Sequence, residues 1–352
     1  MKSRQILRAA FALILCTGWT PQSFVPRLND AGRAGNGTTL LPVRGEPPPP
    51  GKNALWCATL QMAWDKACGD FGGPIRLLPA SPAAEALNRG RFNPAWIDNE
   101  SVLTFGGLAG DGVLDAIEEG IKARGWPASR MAPAMRKDIQ PGDLVFHAVL
   151  SKSLSFPEPF AKLGHARIGR KSTSWFGFHP QLSEANRLRE QVRVHDYQSD
   201  ENFVIELASK NSLDQLILAR IATPPRSLDA VSKQLISRLK RAAPHALPAD
   251  VLAVPNIVVD EKTSFPQLEG RQVAGSGRYL RRALQTVDFR MDEKGVKLRS
   301  EASIAFGCSA HYSTGQPRLF ILTPPFALLM KRTGAPEPYF IAWIANLDAL
   351  AD

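Results

Sequence analysis

The chain has 352 residues, 44% of them apolar, and a formal net charge of +10 at pH 7. This apolar fraction is enough for a sizeable core and excludes an intrinsically disordered chain, while the length permits one large mixed domain or two small ones. Uninterrupted apolar runs of about 20 residues, which a membrane-spanning helix requires, are missing from the sequence.

The first 20 residues have the build of a secretory signal peptide, with basic residues followed by an apolar run that ends at Cys16. We therefore predict a signal peptide at 1–20 and a secreted or periplasmic protein. Cys16 also approaches a lipoprotein cleavage site, so a lipid anchor there is an alternative, although Leu15 is larger than the residue that normally precedes such a cysteine.

Residues 21–52 are rich in Pro and Gly, which predicts an extended linker, and the folded domain is expected to span 53–352. At its start, apolar residues recur at three- and four-residue spacing. This periodicity predicts an amphipathic helix over Asn53–Cys68.

A short strand is predicted at Ser101–Phe105, followed by a helix at Gly112–Ala123 with Asp111 as its N-cap. From Asp143 onward, short apolar runs alternate with turn residues. These runs are 143–150, 203–208, 213–221, 252–259, 283–291, 296–306, 319–322, 326–331 and 339–345. Two predicted helices, at 228–242 and 277–284, interrupt them. Helices first and strands later are typical of an α+β domain with antiparallel or mixed sheets.

The most regular pattern runs from Ala283 to Phe306. Apolar residues at 287, 289 and 291 alternate with polar ones, a polar turn ends at Gly295, and alternation then resumes. A period of two in both halves predicts two adjacent strands that share one buried face.

This stretch resembles the hinge of the serpins, in which a strand of the main sheet ends in an acidic-acidic-x-Gly turn before the reactive loop. Asp292, Glu293 and Gly295 occupy those positions. The closing segment resembles the last strands of the same family, with Phe326 and Asn346 at its marked positions. Weaker similarity covers 143–160, 203–218 and 252–259.

The resemblance implies a serpin-like α+β fold with helices mostly N-terminal, a large mixed or antiparallel sheet, a second antiparallel sheet and a reactive-loop segment near 307–316. Residues 53–143 are few for the helical half of a serpin, so we expect that half to be shortened. The resemblance further implies a monomer that is not an enzyme, holds no cofactor or metal and has a protease as its partner.

The same resemblance implies which residues would act. The implied hinge residues are Glu293, Gly295, Val296, Leu298, Ser300 and Ala302. The implied bait residues of the reactive loop are Cys308, Ser309, Ala310 and His311. An ordinary connection between strands is the alternative for the segment that carries this bait.

A serpin inhibits when its cleaved loop inserts rapidly into the main sheet, and inhibitory members carry Thr or Ser and then alanines after the hinge glycine. This chain has Val296, Lys297 and Leu298 there, followed by Arg299. We therefore predict a non-inhibitory or weakly inhibitory protein whose hinge strand is a constitutive part of the sheet. The alternative is a working suicide inhibitor of a serine or cysteine protease, with its bait near Ser309.

Two further alternatives are an exported thiol hydrolase and a carrier of a small apolar ligand. Cys57, near a predicted helix start, is the first candidate nucleophile, but a buried core cysteine explains it as well and no His is singled out as its base. On a helix, Cys57 and Cys68 would lie about 16 Å apart, too far for a disulfide. Cys308 is the other candidate thiol.

Metal and phosphate sites are weakly indicated. Cys308 and His311 lie at a ligating spacing without a second pair, and His195 with Asp196 is expected in a surface turn. The glycine-rich run 106–112 lacks the order of a phosphate loop.

Basic residues form two clusters, which predict either a polyanion-binding surface or a solvated basic one. The clusters consist of Arg238, Lys240 and Arg241, and of Arg278, Arg281 and Arg282.

Overall fold

The computed structural model describes residues 37–129, 131–168, 171–221, 224–298 and 318–351. The helices of this part are α1 (Thr59–Asp70), α2 (Pro82–Arg89), α3 (Val113–Ala123), α4 (Ala132–Asp138), α5 (Ala185–Arg189) and α6 (Leu228–Arg238). The first ten strands are β1 (Thr38–Leu40), β2 (Asn53–Cys57), β3 (Leu77–Leu78), β4 (Val102–Leu108), β5 (Leu144–Leu150), β6 (Lys152–Ser155), β7 (Ala161–Ile168), β8 (Lys171–Phe178), β9 (Val192–Ser199) and β10 (Asn202–Leu207). The others are β11 (Asp214–Arg220), β12 (Val251–Pro255), β13 (Ile257–Ser264), β14 (Arg271–Val273), β15 (Arg278–Leu280), β16 (Leu284–Asp292), β17 (Gly295–Leu298), β18 (Leu319–Ile321), β19 (Phe326–Arg332) and β20 (Phe340–Ile344).

These strands form several sheets. The largest has seven strands in the order β1-β2-β20-β19-β11-β10-β9, with β1 parallel to β2 and the other pairs antiparallel. An antiparallel sheet of four strands has the order β13-β16-β17-β6, and β4 pairs with β5 alone. The predicted α+β class, with a large mixed sheet and further antiparallel strands, is confirmed.

The seven-stranded sheet and the four-stranded sheet that contains β16 and β17 share one core. The rings of Phe289 on β16 and Phe340 on β20 stack with their centroids 4.9 Å apart and their planes 12° apart. Offset stacking of this kind adds to the area that both rings bury. The strand β16 and the closing strand β20 therefore pack against each other.

The start of the folded region differs from its prediction. Residues 53–57 form a strand, and the helix begins only at Thr59. All five residues of β2 are buried between β1 and β20, so the strand has no polar face and its apolar run is read equally well as a helix. β1 lies inside the predicted linker, with Leu40 only 2% exposed, so folded structure begins before residue 53.

Two other local predictions need correction. The predicted helix over 277–284 is wrong, because Arg278–Leu280 pairs antiparallel with Arg271–Val273 in a hairpin whose turn contains Gly275 and Gly277 at positive φ. The helix after residue 112 is confirmed, but its N-cap is Gly112 in the left-handed region rather than Asp111. In the part of the chain that the structure describes, every helix is too short or too polar to span a bilayer.

The sequence predicts His195 in a surface turn, and this prediction is wrong. His195 is 2% exposed within β9, at a β-bulge where Val194 pairs with Ile205 and Asp196 with Val204, so the extra residue turns toward the sheet face. Its Nε2 lies 2.9 Å from Glu206 Oε2.

A row of buried and half-buried polar groups continues from this pair across the sheet. Gln215 Nε2 donates to Glu206 Oε2 at 2.9 Å, and Lys331 Nζ donates to Gln215 Oε1 at 2.9 Å. Burial alone would raise the pKa of Glu206, but the hydrogen bonds from His195 and Gln215 hold it below its usual value.

Replacing Glu206 by Gln is expected to lower the free energy of unfolding at pH 7 by about 1.5–3 kcal/mol, because charge-assisted hydrogen bonds are lost. A carboxyl with a depressed pKa in the folded state stabilises above its unfolded pKa, and this contribution is lost as pH falls through the folded pKa. Urea titrations between about pH 5 and pH 3 should therefore show a flatter profile for Glu206→Gln than for the parent. Parallel profiles would contradict this assignment.

Candidate functional site: the hinge hairpin and the slot beside it

The hinge hairpin turns sharply after β16. Asp292 pairs with Gly295, which leaves Glu293 and Lys294 as the two loop residues. Gly295 has φ +147°, and a Cβ there would lie 2.1 Å from the carbonyl oxygen of Leu154. This close approach of two backbones explains why a glycine is required at this position.

β17 is hydrogen-bonded along both edges. On one side Lys297 pairs with Arg290 and Val296 with Met291 of β16. On the other side Gly295–Leu298 pairs antiparallel with the whole of β6. The first residues after the hinge turn are therefore a central strand of the sheet.

The loop of the hairpin is tied to the chain that follows β6. The amides of Phe156 and Phe160 donate to the carbonyl oxygens of Lys294 (2.9 Å) and Glu293 (2.8 Å). Lys162 Nζ lies 3.4 Å from Glu293 Oε1. These contacts fix the turn as well as the strand that leaves it.

The inward and outward positions agree with the predicted alternation. Val296 and Leu298 are buried, at 0% and 5% exposure, whereas Lys297 is exposed. The predicted hinge residues Ser300 and Ala302 lie outside the described residues. So do the predicted bait residues Cys308, Ser309, Ala310 and His311, and both sets stay predictions.

A buried ion cluster, which the sequence pattern does not reveal, lies next to the hinge. Lys152, the β6 residue that pairs with Leu298, has its ammonium paired with Asp98 and 2.7 Å from Asp214 Oδ2. The side chains of Lys152 and Asp214 are 5% and 0% exposed, and the ammonium lies 6.0 Å from the centre of the Tyr339 ring.

Burial dominates the electrostatics of this cluster. It raises the pKa of Asp214 despite the hydrogen bond and charge of Lys152. Burial also opposes ionisation of Asp98, but the hydrogen bonds from Lys152 and Ser101 lower the pKa of that carboxyl. One ammonium thus pairs with two carboxyl groups, of which that of Asp214 is fully buried and that of Asp98 is partly exposed.

A cavity of about 570 Å³ lies between β5 and β16. β5 pairs with β4 along one edge, and β16 pairs with β13 along its own outer edge. Within the described ranges, no strand pairs with the facing edge of β5, and β17 covers only Arg290–Asp292 of the facing edge of β16. The two strands therefore flank a slot, and Leu298 is one of its lining residues.

The candidate nucleophile Cys57 also lines this cavity, at the end of β2 rather than on a helix. It is 4% exposed, and burial raises the pKa of its thiol, which keeps the thiol protonated at neutral pH. Cys57 and Cys68 are both buried free thiols, as predicted, although the helix on which that prediction relied is shorter. Cys308 lies outside the described part of the chain.

Arginines of the basic clusters are largely engaged with neighbouring groups. Arg281 and Arg282 pair with Asp143 (2.7 Å) and Asp138 (2.8 Å). In the other cluster, Arg238 Nε lies 2.9 Å from a carboxylate oxygen of Asp196, while Lys240 and Arg241 are exposed. Arg278 donates to the carbonyl oxygen of Gly142 at 2.9 Å. A polyanion partner stays a prediction.

No protein-family model matches the chain, and no curated protein does either. Among solved structures, it is similar to Serpin48, described as a highly specific serpin of the insect Tenebrio molitor, at 12% identity and a TM-score of 0.44, over 84% of this chain and 92% of that chain. A serpin from the trematode Schistosoma haematobium has 11% identity and a TM-score of 0.47, over 84% of this chain and 94% of that one.

Thyroxine-binding globulin, solved in complex with thyroxine, has 14% identity and a TM-score of 0.42, over 67% of this chain and 65% of that chain. The insect and trematode proteins are serpins by description.

Proposed function

We propose that this chain is an exported serpin-like protein that does not act as a rapid suicide inhibitor of proteases. The observation that carries the proposal is the position of β17, in which residues 295–297 are paired with β16 on one edge and all four residues are paired with β6 on the other. Export rests on the signal-peptide pattern of the first 20 residues.

The side chains of the hinge favour a seated strand, that is, a β17 that is already inserted in the sheet of the resting protein. Each of the buried side chains Val296 and Leu298 contributes about 1.5–3 kcal/mol when it leaves water, so the resting protein gains from keeping them in the sheet. A suicide inhibitor depends on energy that is stored in the resting state and released by cleavage. Free energy already gained by residues 295–298 is unavailable for that step.

Incubation with a panel of serine and cysteine proteases, followed by denaturing electrophoresis, tests this proposal. We expect cleaved chain and active protease, without a covalent complex that survives SDS. A thermal melt of chain cut within 307–316 should show only a small rise in Tm over the uncut chain. An SDS-stable complex, or a large rise in Tm on cutting, would instead support the inhibitor alternative.

Alternative functions based on thiol chemistry are less well supported. The buried, protonated thiol of Cys57 is a poor nucleophile, and its environment is that of a core cysteine. Replacing Cys57 by Ser and Cys308 by Ser, with every screened hydrolytic activity left unchanged, would eliminate the hydrolase.

The second candidate function is that of a small-ligand carrier. It is favoured by one observation, the cavity between β5 and β16, whose volume lies in the range of about 300–1,000 Å³ that is usual for small-molecule sites.

A further inference from the structure

We propose that the outer face of the small sheet β15-β14-β3 binds the surface of a membrane that contains anionic lipids. The sheet is antiparallel, with β14 in its centre. Binding there is peripheral, without a spanning segment, and does not depend on whether the chain inhibits proteases.

The two faces of this sheet differ in exposure. Leu77 and Val273 pair with each other and are buried, at 4% and 7% exposure. On the opposite face, which we call the outer face, Leu78 and Tyr279 are both paired with Gln272. Directly paired side chains share a face, and neighbouring strands lie about 4.8 Å apart, so these three side chains form one row about 10 Å long.

The row is apolar at both ends. Leu78 is 52% exposed and Tyr279 is 65% exposed. The other exposed large apolar residues of the described part, Leu213, Leu247 and Val258, belong to three separate segments. Exposed apolar side chains that lie together indicate an interaction surface, whereas single ones are normal. A tyrosine, with an apolar ring and a polar hydroxyl, is suited to the boundary between lipid headgroups and acyl chains.

The sheet is basic as well as apolar. Segments 75–80 and 270–282, which contain its strands, have five arginines and no acidic residue. Arg76 lies two positions before Leu78, and its carbonyl oxygen accepts from the amide of Ala274 at 2.8 Å, so the alternation of faces extends to it. Arg76 is exposed and has no carboxylate partner within the described residues. The outer face therefore carries a cation that can bind an anion.

Two more arginines lie beside the row at β15. Arg278 is exposed, and its guanidinium donates to the carbonyl oxygen of Gly142 rather than to a carboxylate. Arg281, two positions after Tyr279, is paired with Asp143, but half of its side chain is exposed. A surface with an excess of one charge attracts a surface of the opposite charge.

The combination of charge and apolar groups decides which occupant fits. A second copy of this chain, docked through the same face, would bring arginines of both copies together, and like charges disfavour that contact. An acidic polysaccharide would use the arginines but would give Leu78 no apolar partner. A membrane with anionic lipids serves both groups, because the arginines bind headgroup phosphates while Leu78 and Tyr279 enter the boundary beneath them.

Co-sedimentation with lipid vesicles tests the site. The chain is purified without its predicted signal peptide, 1–20, because that apolar run would itself bind lipid. We expect it to sediment with phosphatidylcholine vesicles that contain about 30% phosphatidylglycerol, at about 0.1 M salt, and not with pure phosphatidylcholine. Failure to bind the anionic vesicles, or equal binding to both kinds, would overturn the proposal.

The apolar contribution is tested at constant charge. Leu78→Ser with Tyr279→Ser should raise the lipid concentration for half-maximal binding by about tenfold or more. The matched control is Leu213→Ser with Leu247→Ser, which removes two leucines of 51% and 54% exposure from other parts of the surface and should leave binding unchanged. Equal affinities of the two double variants would contradict the location.

The basic contribution is tested with Arg76→Ala, which should weaken binding about fivefold, the usual effect of one arginine near an anionic surface. Arg167→Ala, at an exposed position of β7, removes the same charge elsewhere and should have little effect. Heparin serves as the polysaccharide probe. If Arg76→Ala weakened heparin and vesicle binding alike, while the double serine variant at 78 and 279 bound vesicles as tightly as the parent, the lipid assignment would be overturned in favour of an acidic polysaccharide.

Discussion

Replacing Lys152 by Met is expected to lower the free energy of unfolding at pH 7 by about 3–5 kcal/mol, which is the usual effect of removing one partner from a buried ion cluster. Methionine has a similar length, so the loss comes from charge rather than from a cavity. Asp98 and Asp214 would be left without their common cation, and Asp214 has no exposed surface from which to regain water. Urea-induced unfolding followed by circular dichroism measures the change.

The matched control for this substitution is Lys66→Met. Lys66 forms an ion pair of 2.6 Å with Asp70, but both side chains are about two-fifths exposed, so its removal should cost about 0.5 kcal/mol. The deficit of Lys152→Met should also shrink at acid pH, because protonated carboxyl groups no longer need the cation. If Lys152→Met lost no more than the control, the cluster would not stabilise the sheet beside the hinge.

Replacing Gly295 by Ala is expected to displace β17 from its place between β16 and β6. The new methyl group would meet the carbonyl oxygen of Leu154 at 2.1 Å, and that oxygen belongs to the backbone of β6, which cannot yield as a flexible side chain does. Losing the burial of Val296 and Leu298 should cost about 3 kcal/mol or more. Hydrogen exchange should show faster exchange over 295–298 and in β6, together with a lower urea midpoint.

Gly270→Ala is the control that separates the steric clash with Leu154 from the cost of placing an alanine at a positive φ. Gly270 also has a positive φ, +71°, but a Cβ there would meet no atom within 4 Å. This variant should lose about 1–2 kcal/mol from the left-handed backbone alone and keep the protection of the hinge. Equal losses in the two variants, with 295–298 still protected, would contradict the close packing of the hinge against β6.

The hairpin could be predicted from sequence because each of its strands has one wetted face. Val287, Phe289 and Met291 are buried in alternation with half-exposed residues, and this period of two is visible in the sequence. β2 could not be predicted in the same way, because a strand buried on both faces has no alternation. The bulge at His195 was hidden for a related reason, since one extra residue changes which face a side chain occupies.

The candidate site was only partly predictable. The acidic turn and Gly295 locate the hinge, but the slot is created by two strands, β5 and β16, that are more than a hundred residues apart. Lys152 carried a local signal, because it shares parity with the buried residues Leu154 and Phe156. Its partners Asp98 and Asp214 are 54 and 62 positions away, and the sequence pattern gives no sign of that pairing.

A disulfide between β17 and β6 tests most directly whether the hinge is seated in the resting protein. Lys297 and Ser153 are paired and both are exposed, so Lys297→Cys with Ser153→Cys, in a chain that also carries Cys308→Ser, places two cysteines side by side. We predict that the uncut protein forms this disulfide under mild oxidation, without any protease. A disulfide that forms only after the chain is cut within 307–316 would show that the hinge enters the sheet late, and would contradict the seated strand.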